Sequence, residues 1–182
     1  MTFRKFLPKY FTHLHEGSLL TPIYGAFIID RGMISDYYIV MENLFFGMKD
    51  WHLYDFKGSV TRRFSRPPVI PLDVNFLVDR FSEPIFCKDN VLQHLNATVE
   101  YLCENNVIDY SLILVVEIEN NDDYYLDGNR FQLGVVDYMR EYGKGEWVEN
   151  MWKGPDATVV EPEQYKARML KNINRYFAQI PI

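Results

Sequence analysis

Apolar residues recur through positions 3–15 at Phe3, Phe6, Leu7, Tyr10, Phe11 and Leu14, the spacing of one helical face. Pro8 lies inside that run without an amide hydrogen, so the pattern predicts a helix with Pro8 in its first turn or a break there. Two runs rich in β-branched and aromatic residues follow, YGAFII at 24–29 and YYIVM at 37–41. A segment containing Asp30-Arg31-Gly32 joins them, and the pair reads as a hairpin. A linker at 41–47 leads to a strand at 53–56, and RPPVIP at 66–71 predicts a surface loop. Between 90 and 105, Leu92, Leu95, Val99 and Leu102 form a stripe opposed by Gln93, Asn96, Glu100 and Glu104. That is an amphipathic helix, with Asp89 in the capping position. LILVVEI at 112–118 and FQLGVV at 131–136 are short and apolar, as buried strands are. A last helix opens with Pro162 at its first position, runs to about residue 177, and turns Tyr165, Met169, Ile173 and Tyr176 inward. Helices and strands intermingle without an internal repeat, so the expected class is α+β.

The acidic connection at 119–130 contains the turn signal Asp127-Gly128. If its flanking strands pair about a centre near Asp123, Asp109 and Asp137 face each other at the open end of the hairpin. Neighbouring strands lie about 4.8 Å apart, so two such carboxylates can share one small site. One can accept a hydroxyl proton or orient a nucleophile while the other holds a divalent metal. Strand-end aspartates also serve as turn and cap residues. Lys57 adds to the pattern, because in Asp55-Phe56-Lys57-Gly58-Ser59 a strand gives way to a Gly-Ser turn. An ammonium beside exposed amides can grip phosphate. Lysine, metal-holding carboxylate and proton-accepting carboxylate together are the equipment of phosphoryl transfer. No GxGxxG or GxxxxGK[ST] loop is present.

Composition narrows the classes. The 182 residues suit one domain or a small lobe joined to a larger one, and 48% apolar content supports a core. A net charge of −6 argues against a nucleic-acid binder. The charge is uneven, however. Lys57, Arg62, Arg63 and Arg66 fall in ten residues without an acid, and residues 117–127 carry five acids without a base. Such asymmetry either orients a protein on an anionic surface or marks two solvated loops. Cys87 and Cys103, with no CxxC spacing, fit a reducing compartment and suggest neither disulfide nor zinc. His13 and His15 read as residues of a surface helix. The longest apolar stretch, near 23–29, is too short to span a bilayer, so any membrane contact is expected to be peripheral.

In order along the chain, YDFKGS (54–59), VIDYSLILVV (107–116) and VVDYMREY (135–142) resemble the motifs of the phosphatidylinositol phosphate kinases. VMENLFFG (40–47) and TVVEPEQYKARMLKNINRYF (158–177) are most similar to the phosphatidylinositol 3-phosphate 5-kinase branch, and FLPKYFTHL (6–14) resembles the helix closing that family's first lobe. The resemblance implies a protein-kinase-like two-lobed phosphoinositide kinase fold with an incomplete N-terminal lobe. Residues 1–43 would be the remnant of that lobe and 44–182 the C-terminal catalytic lobe. It implies that Glu42, Asn43 and Leu44 form the hinge facing adenine of ATP, that Asp109 is the catalytic aspartate, and that Asp137 binds Mg2+. Lys57 would lie near the transferred phosphate, with Arg62, Arg63, Lys144 and Lys153 toward the anionic lipid. The segment 138–161 corresponds to the activation loop.

Three features depart from the family pattern. The glycine-rich loop and nucleotide-binding lysine belong upstream of FLPKYF, and Lys5 and Lys9 fall in the expected helix. Val115 stands where glycine is usual, and Lys144 and Lys153 stand singly rather than as an adjacent pair. The implied activity is transfer of the ATP γ-phosphoryl group to the 5-hydroxyl of phosphatidylinositol 3-phosphate, at the cytoplasmic face of an endosomal or vacuolar membrane. The alternative is an inactive pseudokinase-like module that binds phosphoinositide headgroups or a protein through the basic patch and the aromatic residues Trp147 and Trp152, although core packing suits Trp147 better. Either way the 24–41 hairpin would leave a sheet edge for a protein partner to cover.

Overall fold

The computed structural model describes residues 3–15, 17–79, 85–87, 91–117, 131–143 and 160–179. The chain runs α1 (Phe3–His15), β1 (Ile23–Asp30), β2 (Ser35–Met41), β3 (Trp51–Phe56), α2 (Asp73–Asp79) and β4 (Ile85–Cys87). It continues through α3 (Val91–Glu104), β5 (Ser111–Glu117), β6 (Phe131–Val136), α4 (Pro162–Tyr176) and β7 (Phe177–Gln179). The class is mixed α+β, as the periodicities predict.

β5 is the centre of an antiparallel sheet ordered β3-β5-β6. Five of its seven residues are buried, which explains its unbroken apolar sequence. Val115 is fully buried between Leu53 and Gln132 of the flanking strands, so its side chain is part of the sheet's packing. α3 and α4 complete the core. α3 buries Leu95, Val99 and Leu102 as its stripe predicts, and adds Thr98, Tyr101 and Cys103. α4 has Pro162 in its first turn and buries Tyr165, Met169, Ile173 and Tyr176. Each of these four is fully buried, worth about 1.5–3 kcal/mol of apolar transfer per large side chain.

β1 and β2 form the expected hairpin, from Ile23↔Met41 to Asp30↔Ser35, but it stands as a separate two-stranded sheet. Its tether is polar. Thr21 and Leu19 exchange backbone hydrogen bonds with Val135 of β6, at 2.9 and 2.7 Å. The Tyr138 hydroxyl donates to the Thr21 carbonyl (2.6 Å), and the Ile23 amide donates to the Tyr10 hydroxyl (2.6 Å). These bonds anchor the segment entering β1 to β6, to Tyr138 and to Tyr10 of α1.

The structure differs from the sequence reading at several points. α1 runs through Pro8, its sixth residue, losing one intrahelical bond rather than stopping. His15 is exposed, whereas His13 lies flat on Tyr101 with ring centroids 4.2 Å apart. The last helix ends at Tyr176, in line with the expected end near 177, and Phe177 turns extended to start the unforeseen β7, which pairs in parallel with β4. α2, β4 and β7 have too few residues for a periodicity to show. Asp89, Trp147 and Trp152 lie outside the described residues.

Candidate active site

The β5–β6 register pairs Ser111 with Val136, so Asp109 precedes one strand and Asp137 follows the other at the same end. Both aspartates have left-handed backbone, with φ of 62° and 60°. For a side-chain-bearing residue that conformation costs about 1–3 kcal/mol and persists only where the surroundings enforce it. Here the segments are clamped together: the Ile108 amide donates to the Arg140 carbonyl (2.9 Å) and the Tyr142 amide to that of Asn106 (2.7 Å).

Lys57 arrives from the end of β3. Its ammonium donates to Oδ1 of Asp109 and to the Asp109 carbonyl, each at 2.7 Å. Arg140 donates through a terminal guanidinium nitrogen to Oδ2 at 2.9 Å. Each carboxylate oxygen therefore has its own cation. Partial burial pushes the Asp109 carboxyl up, but Lys57 and then Arg140 outweigh it and hold the group below its ordinary 3.8. At neutral pH Asp109 is an anionic acceptor. These three residues and the exposed Asp137 line a cavity of about 600 Å3, together with Ile39 and Met41 of β2. An ionised acceptor, two cations, a second carboxylate and an apolar wall can orient a hydroxyl and neutralise a phosphate.

The turn that presents Lys57 is built on Asp73, which is fully buried at the start of α2. Its two oxygens accept from the amides of Lys57 and Ser59 (both 3.2 Å), from Nε of Arg63 (2.8 Å) and from the Tyr176 hydroxyl (2.9 Å). A buried carboxylate is tolerated because every lone-pair direction is used. α4 grips the same turn from its other side, where Asn172 donates to the Gly58 carbonyl at 2.6 Å. Gly58 has φ 63°, and a Cβ there would lie 2.6 Å from Met169 Cα. Only glycine fits that approach.

Lys57, Asp109 and Asp137, singled out from sequence, thus meet at one cavity, with Lys57 held by Asp109 itself. Arg63 takes a different place from the one expected at a lipid. It is largely buried, and besides Asp73 its guanidinium engages the carbonyl and carboxylate of Asp55 at 2.6 and 3.1 Å. Arg62 is exposed. Glu42 and Asn43 are also exposed, and the Asn43 side chain accepts from the Phe45 amide (3.0 Å). Leu44 packs on β6 at Gly134, where a Cβ would meet its methyls at 2.8 Å. Lys144 and Lys153 lie outside the described residues.

Comparison with known proteins adds the context of this arrangement. Residues 1–131, which carry the Lys57 turn and Asp109, match the family model described as phosphatidylinositol-4-phosphate 5-kinase. The chain belongs to the phosphatidylinositol-4-phosphate 5-kinase family. It is 29% identical over 206 residues to the putative 1-phosphatidylinositol 3-phosphate 5-kinase of Drosophila melanogaster, covering 98% of this chain and 11% of that protein. It is 31% identical over 209 residues to 1-phosphatidylinositol-3-phosphate 5-kinase FAB1A of Arabidopsis thaliana (99% and 11%). Against 1-phosphatidylinositol 3-phosphate 5-kinase FAB1 of Saccharomyces cerevisiae it is 27% identical over 210 residues (98% and 9%). The chain spans about a tenth of the length of the curated relatives it matches.

Two residues of this family member escape a reading of its sequence. Arg140 sits inside VVDYMREY, but nothing local shows that its side chain returns to Asp109; its only signal is a cation three residues after Asp137. Asp73 follows Pro71-Leu72 as an ordinary helix-opening acid. That it is the buried hub of the Lys57 turn depends on Tyr176, 103 residues away.

Proposed function

We propose that this chain is the core of an ATP- and magnesium-dependent phosphoinositide kinase acting on phosphatidylinositol 3-phosphate at its 5-hydroxyl. The observation that carries the reading is the Lys57–Asp109–Arg140 cluster at one cavity with Asp137. In this reading the inositol oxygen attacks the γ-phosphorus of ATP as the bond to the β–γ bridging oxygen breaks and ADP leaves. Asp109 accepts the hydroxyl's hydrogen bond, orients it and takes its proton as the new O–P bond forms; its lowered pKa favours such late transfer over early abstraction. Lys57 neutralises charge on the transferred group, and Glu42, Asn43 and Leu44 face adenine. Arg62, Lys144 and Lys153 face the lipid headgroups.

Asp137 is the residue that would hold magnesium. Among the described residues no group of three His, Cys, Asp or Glu could cage an ion. That fits magnesium, which in phosphotransfer sites takes one or two carboxylates and completes its shell from substrate phosphates and water. When bound, the ion supplies neutralisation of phosphate charge.

The same reading places α1 and the β1–β2 hairpin (1–43) in the N-terminal lobe of a two-lobed kinase, and 44–182 in its catalytic lobe. A protein partner covers the outer edge of the hairpin. The place of work is the cytoplasmic face of an endosomal or vacuolar membrane; among the described residues no helix is long and apolar enough to cross one.

The test is transfer of labelled phosphate from ATP to phosphatidylinositol 3-phosphate in liposomes with magnesium, with Asp109→Asn as the blank. Transfer above the blank is expected. No transfer, with liposome binding intact, would replace the kinase reading by that of a binding module.

A further inference from the structure

The loop between the Lys57 turn and α2 is rigidly built, yet it holds its apolar side chains in solvent. Its inner residues are fixed. Ser65 is buried, its amide donates to Asn75 Oδ1 (2.9 Å), its hydroxyl donates to the Ile70 carbonyl (2.7 Å), and its own carbonyl accepts from Asn75 Nδ2 (2.9 Å). The Leu72 amide donates to the same Asn75 oxygen at 3.0 Å. Backbone bonds from Asp55 to Pro71, Val74 to Arg63 and Val69 to Arg66, each 3.0 Å, close the loop on itself and on β3.

Facing outward from this frame are Val60, Phe64, Val69 and Ile70, between 47% and 60% exposed. Arg62 and Arg66 are exposed between them. Residues 57–72 contain no acid. A loop fixed this firmly cannot turn four apolar side chains inward, so another surface must cover them if their hydration cost is to be relieved. Cations interleaved with the apolar groups select an anionic, apolar-cored surface, which is what a bilayer interface offers.

We propose that the 60–70 loop is a membrane-docking element, in which Val60, Phe64, Val69 and Ile70 enter the bilayer interface while Arg62 and Arg66 meet anionic lipid headgroups. The choice of a lipid surface rests on the reading of the cavity as a phosphoinositide kinase site. Geometry links the two. Arg63, in the middle of the loop, is joined through Asp73 to the amide of Lys57, so the loop and the turn that presents Lys57 are fixed to one hub.

The experiment is co-sedimentation of the full chain with phosphatidylcholine vesicles, with and without phosphatidylserine. Wild type should bind the anionic vesicles selectively. The double variant Phe64→Ser/Ile70→Ser should bind them about tenfold or more weakly, given the area each side chain would bury. Arg66→Gln should weaken binding about fivefold, an effect that fades at high salt. All these side chains are exposed, so urea midpoints should match wild type and show that the variants are folded. Failure of wild type to bind anionic vesicles, or wild-type binding by both variants, overturns the proposal and leaves the patch to a protein. Transfer by wild type to a water-soluble short-chain phosphatidylinositol 3-phosphate is measured separately. Without such transfer, a vesicle interaction lost in the variants upholds the docking loop and removes the kinase reading. With transfer, unchanged vesicle binding in the variants removes the docking loop alone.

Discussion

Asp109 is held by Lys57 on one oxygen and Arg140 on the other, so its charge is stabilised in the fold more than in the open chain. Because its carboxyl titrates lower when folded, that stabilisation is complete above the ordinary 3.8 and disappears as pH falls through the lower folded value. Arg140→Ala should therefore raise the Asp109 titration and move this acid loss to higher pH. Carboxyl carbon shifts followed by NMR from about pH 2 to 6 would show it, and an unmoved titration would mean that the contact is not kept in solution. Asp73 differs in having no exposure. Asp73→Ala leaves Arg63 with Asp55 as its remaining carboxylate and takes the acceptor from the Lys57 and Ser59 amides, and a loss of about 3–5 kcal/mol in urea unfolding is expected, as for one partner of a buried pair. Cys103 gives a third handle. Burial first, and the Glu163 carboxylate second, push its thiol up to about 11. In a Cys87→Ser chain at pH 8, Ellman's reagent should leave Cys103 unmodified until unfolding; prompt labelling of that folded variant would contradict the packing of α3 on α4.

At the scale of elements, the site depends on the grip of two helices on one turn. α2 supplies Asp73 and α4 supplies Asn172 and Tyr176, while Gly58 lets the turn approach the α4 backbone. Gly58→Ala combines an unfavourable φ with a backbone clash, so its cost should exceed about 2 kcal/mol. At Gly134 the obstacles are the Thr21 hydroxyl and the Leu44 methyls, which can yield, so Gly134→Ala should cost less. Unfolding midpoints of the two variants compare these directly. The reverse order would mean that α4 shifts more easily than Leu44. Periodicity makes both long helices legible, because α3 and α4 each bury a stripe spaced at three and four residues. It cannot reveal α2, whose seven residues are defined by what they hold.

Across the whole molecule, order is unevenly supported. β5 is paired on both sides and buried, whereas β1 and β2 pair only with each other among the described residues. Phe27, Ile28, Ile29, Ile39 and Val40 are all more than 40% exposed. An isolated hairpin is marginal in water, so β1–β2 amides should exchange with deuterium far faster than those of β5. Equal protection would show that another surface already covers the hairpin, a second copy of the chain included. This matters for the site because Ile39 and Met41 of that hairpin wall the cavity. Loosening the hairpin should therefore loosen whatever binds there.

What the sequence determined by itself is local and pairwise. It encodes the two long helices, the apolar central strand, and the β5–β6 pairing that sets Asp109 opposite Asp137, because side-chain period and strand symmetry are properties of neighbouring residues. It also encodes the family, through short motifs kept in order. Only the tertiary structure decided which charges meet. Arg63 turns inward to Asp55 and Asp73, Arg140 reaches back to Asp109, and the Tyr176 hydroxyl secures a carboxylate 103 residues earlier. Long polar side chains find partners through the packing of distant elements, and no spacing along the chain records that meeting.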